Sequence, residues 1–484
     1  MDRSKVYKHR KFCGLASSDI NWLQHIRYWG YFVKRFFLLL FIYLDFCHIL
    51  SPYMPTKKIY TNTIAQIAGK IITALISILL IKVLTGYLDV AGYGLYSKIY
   101  NYLSIFAVIA DLGLYTITVR ELTRYQDDAD MVAKISGNIL SLRTLSGVLI
   151  IWLSLSIAPF LTGYDSPMAL IGIAIVSLFT LMGLINSSLM SYLQATLHTE
   201  FSLVANTCGK LLTFGMIFMF SAFLFPRSTT PDIEVFTLVM LAGLAGNILM
   251  TGLTWWYANK WQKVTFAWDT TYIRHILTIS LPYWLALFLW VIFFKVDIIL
   301  LSILEPVDIA DTSIALYALP MKIVEVGMMY GTIFLNSLLP VLTTAIEKRD
   351  NEKVAKLTRH AFMLLFAGGI AASGFLALFA PWVITLISTP EFVNATIMGY
   401  GSVDALRIVG WIFLVYFVSS LYTYILIARW QQKIMMYINA GIAILNIVGN
   451  IIFIPMYSFI GSAWVTLITQ ILLLILTYIA VQRK

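Results

Sequence analysis

Long apolar segments alternate with short polar segments along most of the chain. An α-helix needs about 20 apolar residues to cross the hydrocarbon core of a bilayer, and the segments that follow residue 58 are close to that length. We predict twelve membrane helices in two sets of six, which are residues 59–84, 97–119, 135–160, 168–190, 202–225 and 235–258, then 273–304, 313–338, 359–380, 404–428, 434–456 and 460–481. The pattern therefore predicts an all-α polytopic membrane protein.

The polar linkers between these segments predict the domain organisation. Residues 54–258 would form one six-helix bundle and residues 273–484 a second, joined by a cytoplasmic linker over residues 259–272. A Leu-Tyr pair occurs near the start of the second helix of each half, ending at Tyr96 and at Tyr317. An even number of helices per half makes such repeats parallel, with the substrate site between them. We therefore expect two pseudo-symmetric bundles around a central cavity.

Residues 1–53 differ from the rest of the chain because they are basic and less regular. Their apolar part, residues 36–53, is short and is interrupted by Asp45. If that part crossed the bilayer, the basic residues before it would lie outside, against the positive-inside rule. We interpret this segment as an interfacial extension, or as sequence upstream of a true start at Met54.

The composition excludes a soluble globule. Sixty per cent of the residues are apolar and only 12% are charged, whereas soluble domains carry about 25% charged residues. The net charge of +10 does not point to nucleic acid, because the Lys and Arg residues lie mainly in linkers on one face of the predicted membrane. The linkers of the other face are acidic, as in residues 305–312. By the positive-inside rule, both termini of the helical core are cytoplasmic.

Charged residues also occur inside the predicted helices. A charge at the bilayer centre costs at least about 2.5–3.5 kcal/mol, so it is normally paired or functional. Lys322 and Glu325 lie one turn apart on one helix and can neutralise each other. Lys295 and Asp297 lie on different faces of a single helix, so each needs a partner from another helix. Asp111 needs such a partner as well. These five residues are candidates for ion pairing or for coupling to an ion, and structural salt bridges remain the alternative.

The first half contains a second group of polar residues within its predicted helices. Asn62, Gln66 and Lys70 fall at i, i+4 and i+8, which places them on one helix face. Arg143 and Lys210 lie on two further helices, each with other polar residues on its face. We predict that these five residues line a cationic cavity that binds a phosphate-bearing substrate. In the alternative interpretation, the amides stabilise helix packing and the lysines extend to the membrane surface.

Several short motifs occur in a fixed order from Met54 to the C-terminus. They are Asn62-x-x-x-Gln66-x-x-Gly69-Lys70, Tyr93-Gly94-x-Tyr96, Ala110-Asp111-Leu112-Gly113-Leu114, Arg120-Glu121-Leu122-Thr123-Arg124, Lys295-x-Asp297, Lys322-x-x-Glu325, Leu445-Asn446-Ile447 and Ile454-Pro455. This order resembles the polysaccharide and O-antigen flippases. These proteins share a superfamily with the multidrug exporters and the lipid II flippases. The chain departs from the resemblance in the acidic, glycine-free segment 305–312 and in the polar segment 394–402, so sugar preference cannot be carried over.

The resemblance implies a function. Such a protein moves a polyprenyl-pyrophosphate-linked oligosaccharide from the inner to the outer leaflet of a bacterial or archaeal cytoplasmic membrane, by alternating access between two bundles. Its partners would be the lipid-linked oligosaccharide, membrane lipids, H⁺ or Na⁺ as a coupling ion, and the polymerase and glycosyltransferases of a surface polysaccharide such as the O-antigen of lipopolysaccharide. No cofactor, metal or nucleic acid is expected.

Two other functions fit part of the pattern. An ion-coupled exporter of small molecules would have the same helices, but a site for drug cations calls for acidic rather than basic side chains. A membrane polymerase or ligase would be an enzyme, and it usually needs a large exterior loop that this chain lacks. The six histidines have no metal-binding spacing, and no Gly-Lys-Ser/Thr phosphate-binding motif occurs. We therefore expect a carrier rather than an enzyme.

Overall fold

Helices make up nearly all of the chain that the computed structural model describes, which is residues 57–125, 127–196, 198–224, 233–260, 263 and 265–482. We number them α1 Lys57–Tyr87, α2 Val90–Asp111, α3 Leu114–Arg124, α4 Ala129–Ile157, α5 Pro167–Ala195, α6 Thr199–Met219, α7 Ile233–Ala258, α8 Thr270–Leu304, α9 Val307–Glu347, α10 Asn351–Ile387, α11 Pro390–Asn394, α12 Ser402–Val409, α13 Ile412–Ala428 and α14 Gln432–Gln482. The all-α fold predicted from the sequence is confirmed. The interpretation of residues 1–53 concerns residues outside the described part.

Ten helical stretches of the described residues are long and apolar enough to cross a membrane. The chain is therefore a multi-pass membrane protein. The last two predicted helices both lie within α14, which is kinked between them at Ser458, where the backbone is non-helical (φ 53°, ψ −146°). The count of twelve helices and their division into two bundles stay predictions.

The second predicted helix is two helices in the structure. Instead of one segment over residues 97–119, α2 ends at Asp111 and α3 begins at Leu114. The residues between them, Leu112 and Gly113, have φ of 53° and 65°. A Cβ atom on Gly113 would lie 3.1 Å from the backbone nitrogen of Trp284. The break therefore lets α8 pack directly on this turn, which apolar continuity alone does not indicate.

Helices α9 and α10 extend far beyond the predicted residues 313–338 and 359–380. They have 41 and 37 residues, and a turn of three residues, 348–350, joins them. The side chain of Asp350 begins α10 by accepting a hydrogen bond of 2.9 Å from the backbone N–H of Lys353. The prediction stopped at residue 338 and resumed at residue 359, on either side of a mostly polar segment. A helix satisfies its own backbone hydrogen bonds and can continue as a polar helix into water.

Two long helices are kinked next to prolines. In α10 the backbone is non-helical at Phe379 (φ −105°, ψ 17°), two residues before Pro381, and in α14 it is non-helical at Ser458, three residues after Pro455. Proline removes one backbone donor, but neighbouring groups can satisfy the carbonyls that this leaves free. Pro159 does follow the end of α4, in a short 3₁₀ turn.

Residues 65–484 form one unit, in which α2 occupies the central position. It packs against α5 and α4 on one side and against α8 and α9 on the other. Helix α2 begins after Asp89, whose carboxylate accepts a hydrogen bond from the Gly92 N–H at 2.6 Å. Helices α8 and α13 in turn both pack against α14. The candidate site lies where α2, α8 and α9 pack against one another.

Candidate functional site

Three charged side chains of α8 and α9 form a cluster, which we call the Lys-Glu-Lys triad. Glu325 accepts hydrogen bonds from Lys295 through Oε1 and from Lys322 through Oε2, the latter at 3.1 Å. The Lys322 side chain is 50% exposed, whereas those of Lys295 and Glu325 are 22% and 25% exposed. Lys295 thus has the partner from another helix that the sequence requires, and the triad carries a net positive charge.

The triad forms part of the wall of a cavity of about 340 Å³ between α1, α2, α8 and α9. Three tyrosines of α2 also line this cavity. The ring centroids of Tyr93 and Tyr96 are 6.1 Å apart, and those of Tyr96 and Tyr100 are 4.6 Å apart. Ser77, Ser97, Asn101 and Ser104 add polar groups to the same cavity. We call this space the tyrosine cavity.

Lys210 of α6 reaches the wall of the tyrosine cavity. Its Nζ donates to the Ser77 hydroxyl at 2.8 Å and to the Thr73 carbonyl at 3.3 Å, and its positive charge is close enough to that of Lys322 for the two to repel each other. Lys295, Lys322 and Glu325 line this space and Lys210 contacts its lining residue Ser77, so these four side chains carry a net charge of plus two. Such a site favours an anion.

A second cavity, of about 380 Å³, lies on the other side of the triad. Residues of α8, α9 and α13 line it, and Phe294 and the triad contribute to both cavities. The other residues of its wall are Trp290, Val291, Val326, Met328, Met329, Thr332, Ile333 and Tyr416. We call this space the methionine cavity. The triad thus separates a polar, tyrosine-lined space from an apolar one.

Asp297 is fully buried behind the tyrosine cavity. Its Oδ2 accepts hydrogen bonds from the hydroxyl of Tyr317, which lines that cavity, and from that of Thr466 at 3.4 Å. Its Oδ1 accepts one from the Ile298 N–H at 2.9 Å. These partners are neutral, although an ionised buried carboxylate is normally paired with a cation. Asp297 is therefore the buried acid best placed to exchange a proton or hold a cation.

Arg143 and Asp111 form an ion pair in the core of the first half. Arg143 is fully buried, and its Nη2 lies 2.6 Å from Asp111 Oδ1. Its Nη1 also donates to the Ser188 hydroxyl at 3.4 Å. The structure thus places Arg143 in the protein interior, next to an acid, instead of at the wall of an open cavity. Asp111 pairs with this arginine rather than with a lysine.

The remaining predicted site residues of the first half lie at the beginning of α1. The side chains of Asn62, Gln66 and Lys70 lie outside the part of the chain whose side chains the structure describes. Their role in a cationic cavity stays a prediction. Asn446 and Asn450, which share a face of α14, are fully buried. The amide of Asn450 donates to the Asn446 carbonyl at 2.9 Å, as expected of packing residues.

Ion pairs and hydrogen bonds join the two halves at the end that we predict to be exterior. Lys98 of α2, only 2% exposed, lies 2.5 Å from Asp311 of α9 and donates to the Gly163 carbonyl at 2.7 Å. Gly94 lies against α9 here, because a Cβ atom on it would come within 1.7 Å of the Asp311 carbonyl oxygen. Lys82 of α1 donates to the Thr385 carbonyl of α10 at 2.9 Å. These contacts hold α2 against α9 and α1 against α10 at this end.

Two acidic residues outside the membrane-spanning segments have shifted pKa values. Burial raises the pKa of the Glu305 carboxyl, which lies next to the hydroxyls of Ser313 and Ser458. At the opposite end, the Lys134 ammonium 2.6 Å away lowers the pKa of the Asp269 carboxyl. Asp269 is therefore charged at neutral pH and ties the linker before α8 to α4.

Sequence reasoning missed the tyrosines of α2 and the contact between Lys98 and Asp311. Tyr93, Tyr96 and Tyr100 fall at i, i+3 and i+7, which is one helix face, so a search for aromatic periodicity could have found them. Lys98 and Asp311 lie 213 positions apart, and Asp311 was counted only among the acidic residues of the segment 305–312. Only the packing of α2 on α9 shows that they meet.

Comparisons with known families and sequences agree with the motifs. A family model described as polysaccharide biosynthesis protein matches residues 59–346, and the MatE family model matches residues 282–452. No curated protein sequence matches the chain. The resemblance predicted from the sequence is confirmed.

Solved structures share the fold at low sequence identity. A multidrug resistance MATE family transporter of the MOP superfamily, inward-facing, has a TM-score of 0.68 and 14% identity, over 87% of this chain and 98% of that one. The lipid II flippase MurJ, in an inward closed conformation, has a TM-score of 0.67 and 15% identity, over 87% of each chain. A MOP superfamily transporter from Pyrococcus furiosus, described as having a binding pocket of reversed polarity, has a TM-score of 0.57 and 15% identity, over 86% and 95%. At these identities, the similarity establishes the fold.

Proposed function

The chain belongs to the polysaccharide biosynthesis protein family, and we propose that it is a flippase for a polyprenyl-pyrophosphate-linked oligosaccharide. The substrate moves from the inner to the outer leaflet of the cytoplasmic membrane during synthesis of a surface polysaccharide, such as an O-antigen or a capsule. The protein acts as a carrier and not as an enzyme. The shared fold with a lipid II flippase supports a lipid-linked substrate.

The observation that carries this proposal is the charge of the tyrosine cavity. Lys295 and Lys322 line it together with Glu325, and Lys210 donates to its lining residue Ser77. A pyrophosphate cannot cross a medium of low dielectric constant without partners, since an isolated ion costs several kcal/mol there. The three lysines would share its charge, while the hydroxyl and amide groups of the cavity bind the first sugar.

Transport requires that the site be exposed to each side of the membrane in turn. The end closed by Lys98 and Asp311 fits a state that receives substrate from the cytoplasm. Opening it would require α2 to move away from α9, which corresponds to the rocking of two bundles in alternating access. Asp297, hydrogen-bonded to the cavity residue Tyr317, would couple this change to H⁺ or Na⁺.

An ion-coupled exporter of small molecules is the second candidate. The match of the MatE family model and the fold shared with a multidrug transporter favour it. A drug cation would be repelled by a site with a net charge of plus two. The two candidates are therefore distinguished by whether the protein moves a lipid-linked anion or an organic cation.

The test is translocation by the purified protein in vesicles that contain a fluorescent polyprenyl-pyrophosphate sugar. Lys322→Gln and Lys295→Gln should each lose a charge-assisted contact of about 1.5–3 kcal/mol, which corresponds to roughly 10–100-fold weaker binding. Lys→Arg exchanges should retain most activity. Lys348→Gln is the control, because Lys348 is an exposed lysine in the turn between α9 and α10.

Two results would oppose the proposal. If folded Lys322→Gln and Lys295→Gln variants transport at wild-type rates, these lysines do not bind the substrate. Transport of an organic cation such as ethidium, without transport of the lipid-linked sugar, would favour the exporter.

A further inference from the structure

The two cavities beside the triad differ in chemistry. Ser77, Ser97, Asn101 and Ser104 line the tyrosine cavity, whereas the methionine cavity has two hydroxyl-bearing residues apart from the triad. These two, Thr332 and Tyr416, lie 3.1 Å apart and form a hydrogen bond with each other. The methionine cavity therefore offers apolar wall everywhere except at the triad.

The apolar wall is adaptable as well as large. Trp290, Phe294 and Ile333 provide rigid apolar surface, and Met328 and Met329 add flexible thioether side chains. Methionine fits ligands of irregular shape because its unbranched side chain can change conformation at low cost. Trp290 and Met329 are 39% and 43% exposed, so neither is committed to the protein core. A flexible hydrocarbon chain fits such a wall.

The order of these environments matches the order of groups in one class of molecule. Along the line from α2 to α13, the site presents polar groups and tyrosines, then two lysines with a glutamate, then apolar residues. A polyprenyl-pyrophosphate sugar has the same sequence of parts, which are sugar, pyrophosphate and hydrocarbon chain. We propose that the methionine cavity binds the isoprenoid units next to the pyrophosphate, so that the substrate lies across the triad with its sugar in the tyrosine cavity.

This assignment rests on the proposed function and adds an orientation to it. Glu325 is central to the geometry, because it already holds both lysines from the position between the cavities. A pyrophosphate that enters competes with Glu325 for the same ammonium groups. The hydrocarbon chain then extends from the bound pyrophosphate toward α13. It lies between α8, α9 and α13 rather than against α2.

Photocrosslinking of the wild-type protein in nanodiscs tests the orientation directly. The probe is geranylgeranyl pyrophosphate with a diazirine on the isoprene unit nearest the pyrophosphate, and mass spectrometry locates the labelled peptide. Labelling should occur in α8 near residues 290–294, in α9 near residues 328–333, or at Tyr416. Labelling of the α2 tyrosines, or only of residues remote from both cavities, would overturn the proposal.

A filled cavity provides the second measurement. Met329→Trp should exclude several CH₂ groups of the chain, which corresponds to at least about tenfold weaker binding of geranylgeranyl pyrophosphate. The affinity for isopentenyl pyrophosphate, which has one isoprene unit, should decrease less. Met363→Trp is the matched control, because Met363 is an equally exposed methionine (47%) on α10.

The outcomes separate this inference from the proposed function. If wild-type protein binds geranylgeranyl pyrophosphate with Lys322-dependent affinity, but Met329→Trp binds it equally well and the probe labels other sites, the orientation is wrong and the flippase proposal stands. If the wild-type protein binds no polyprenyl pyrophosphate and translocates no lipid-linked sugar, both are wrong.

Discussion

At the scale of single residues, Asp297 is distinguished by what surrounds it. It is fully buried, and it is bound by two hydroxyl groups and one backbone N–H. Removal of its charge should uncouple transport from an ion gradient and leave substrate binding intact, because Asp297 lies behind Tyr317 rather than in the wall of the cavity.

The measurement compares translocation by Asp297→Asn with and without imposed gradients of H⁺ and of Na⁺. We expect the variant to run at the rate that wild-type protein shows without a gradient. Asp308→Asn, in an exposed acid near the start of α9, should respond to the gradient as the wild type does. A variant Asp297→Asn that is still accelerated by the same gradient would exclude Asp297 as the coupling residue.

Arg143 and Asp111 should act on stability. Asp111→Ala leaves a fully buried guanidinium without its carboxylate, which costs about 3–5 kcal/mol. Thermal unfolding in nanodiscs would measure the loss. Asp404→Ala is the comparison, because its partner Arg407 is 51% exposed and such pairs contribute at most about 1 kcal/mol. Lost transport at unchanged stability would instead support the predicted role of Arg143 at the substrate.

The sequence identified these residues as charges inside helices, but it did not identify their partners. It identified Asp111, Arg143 and Asp297 as charges inside helices, because apolar neighbours make such charges conspicuous. It could not show that Arg143 faces Asp111 and that Asp297 faces Tyr317. The rotation of each helix about its axis depends on its neighbours, and one sequence leaves that rotation undetermined.

At the scale of helices, the contact of α2 with α9 decides whether the predicted exterior end is closed. Asp311→Ala removes the partner of Lys98, and a coupling of about 0.5–3 kcal/mol is typical of such contacts. The closed state should therefore become less populated. The reversed pair Lys98→Asp with Asp311→Lys should restore part of the closure.

Closure can be measured by labelling a cysteine at Ser97, a residue of α2 that is 7% exposed and lines the tyrosine cavity. In a variant without the native cysteines, Asp311→Ala should increase its reaction with an impermeant thiol reagent at least about twofold, given that coupling. Asp308→Ala should not change it. Equal labelling with and without Asp311 would mean that other contacts, such as that of Gly94, close this end.

Helix positions were predictable and helix ends were not. The apolar pattern located every long helix among the described residues, since a bilayer requires a run of apolar side chains. It failed at Leu112–Gly113, where an adjacent helix takes the space, and at residues 351–358, where α10 begins within a mostly polar segment.

At the scale of the whole molecule, the distribution of basic residues predicts the orientation in the membrane. It places the turn 348–350 in the cytoplasm and residues 305–312 outside. Both regions expose side chains in the structure. In a variant without native cysteines, Asp308→Cys on intact cells should react with an impermeant thiol reagent, whereas Lys348→Cys should react only after permeabilisation. The opposite result would invert the orientation.

The length of α9 and α10 has a mechanical consequence. With 41 and 37 residues, they are about 55–60 Å long, roughly twice the thickness of the hydrocarbon core. The turn between them therefore lies far from the bilayer centre. If the helices pivot near the bilayer centre by about 10°, a tip about 35 Å from the pivot moves by about 6 Å. A small tilt at the bilayer centre thus becomes a displacement of several ångströms at the predicted cytoplasmic end of these two helices.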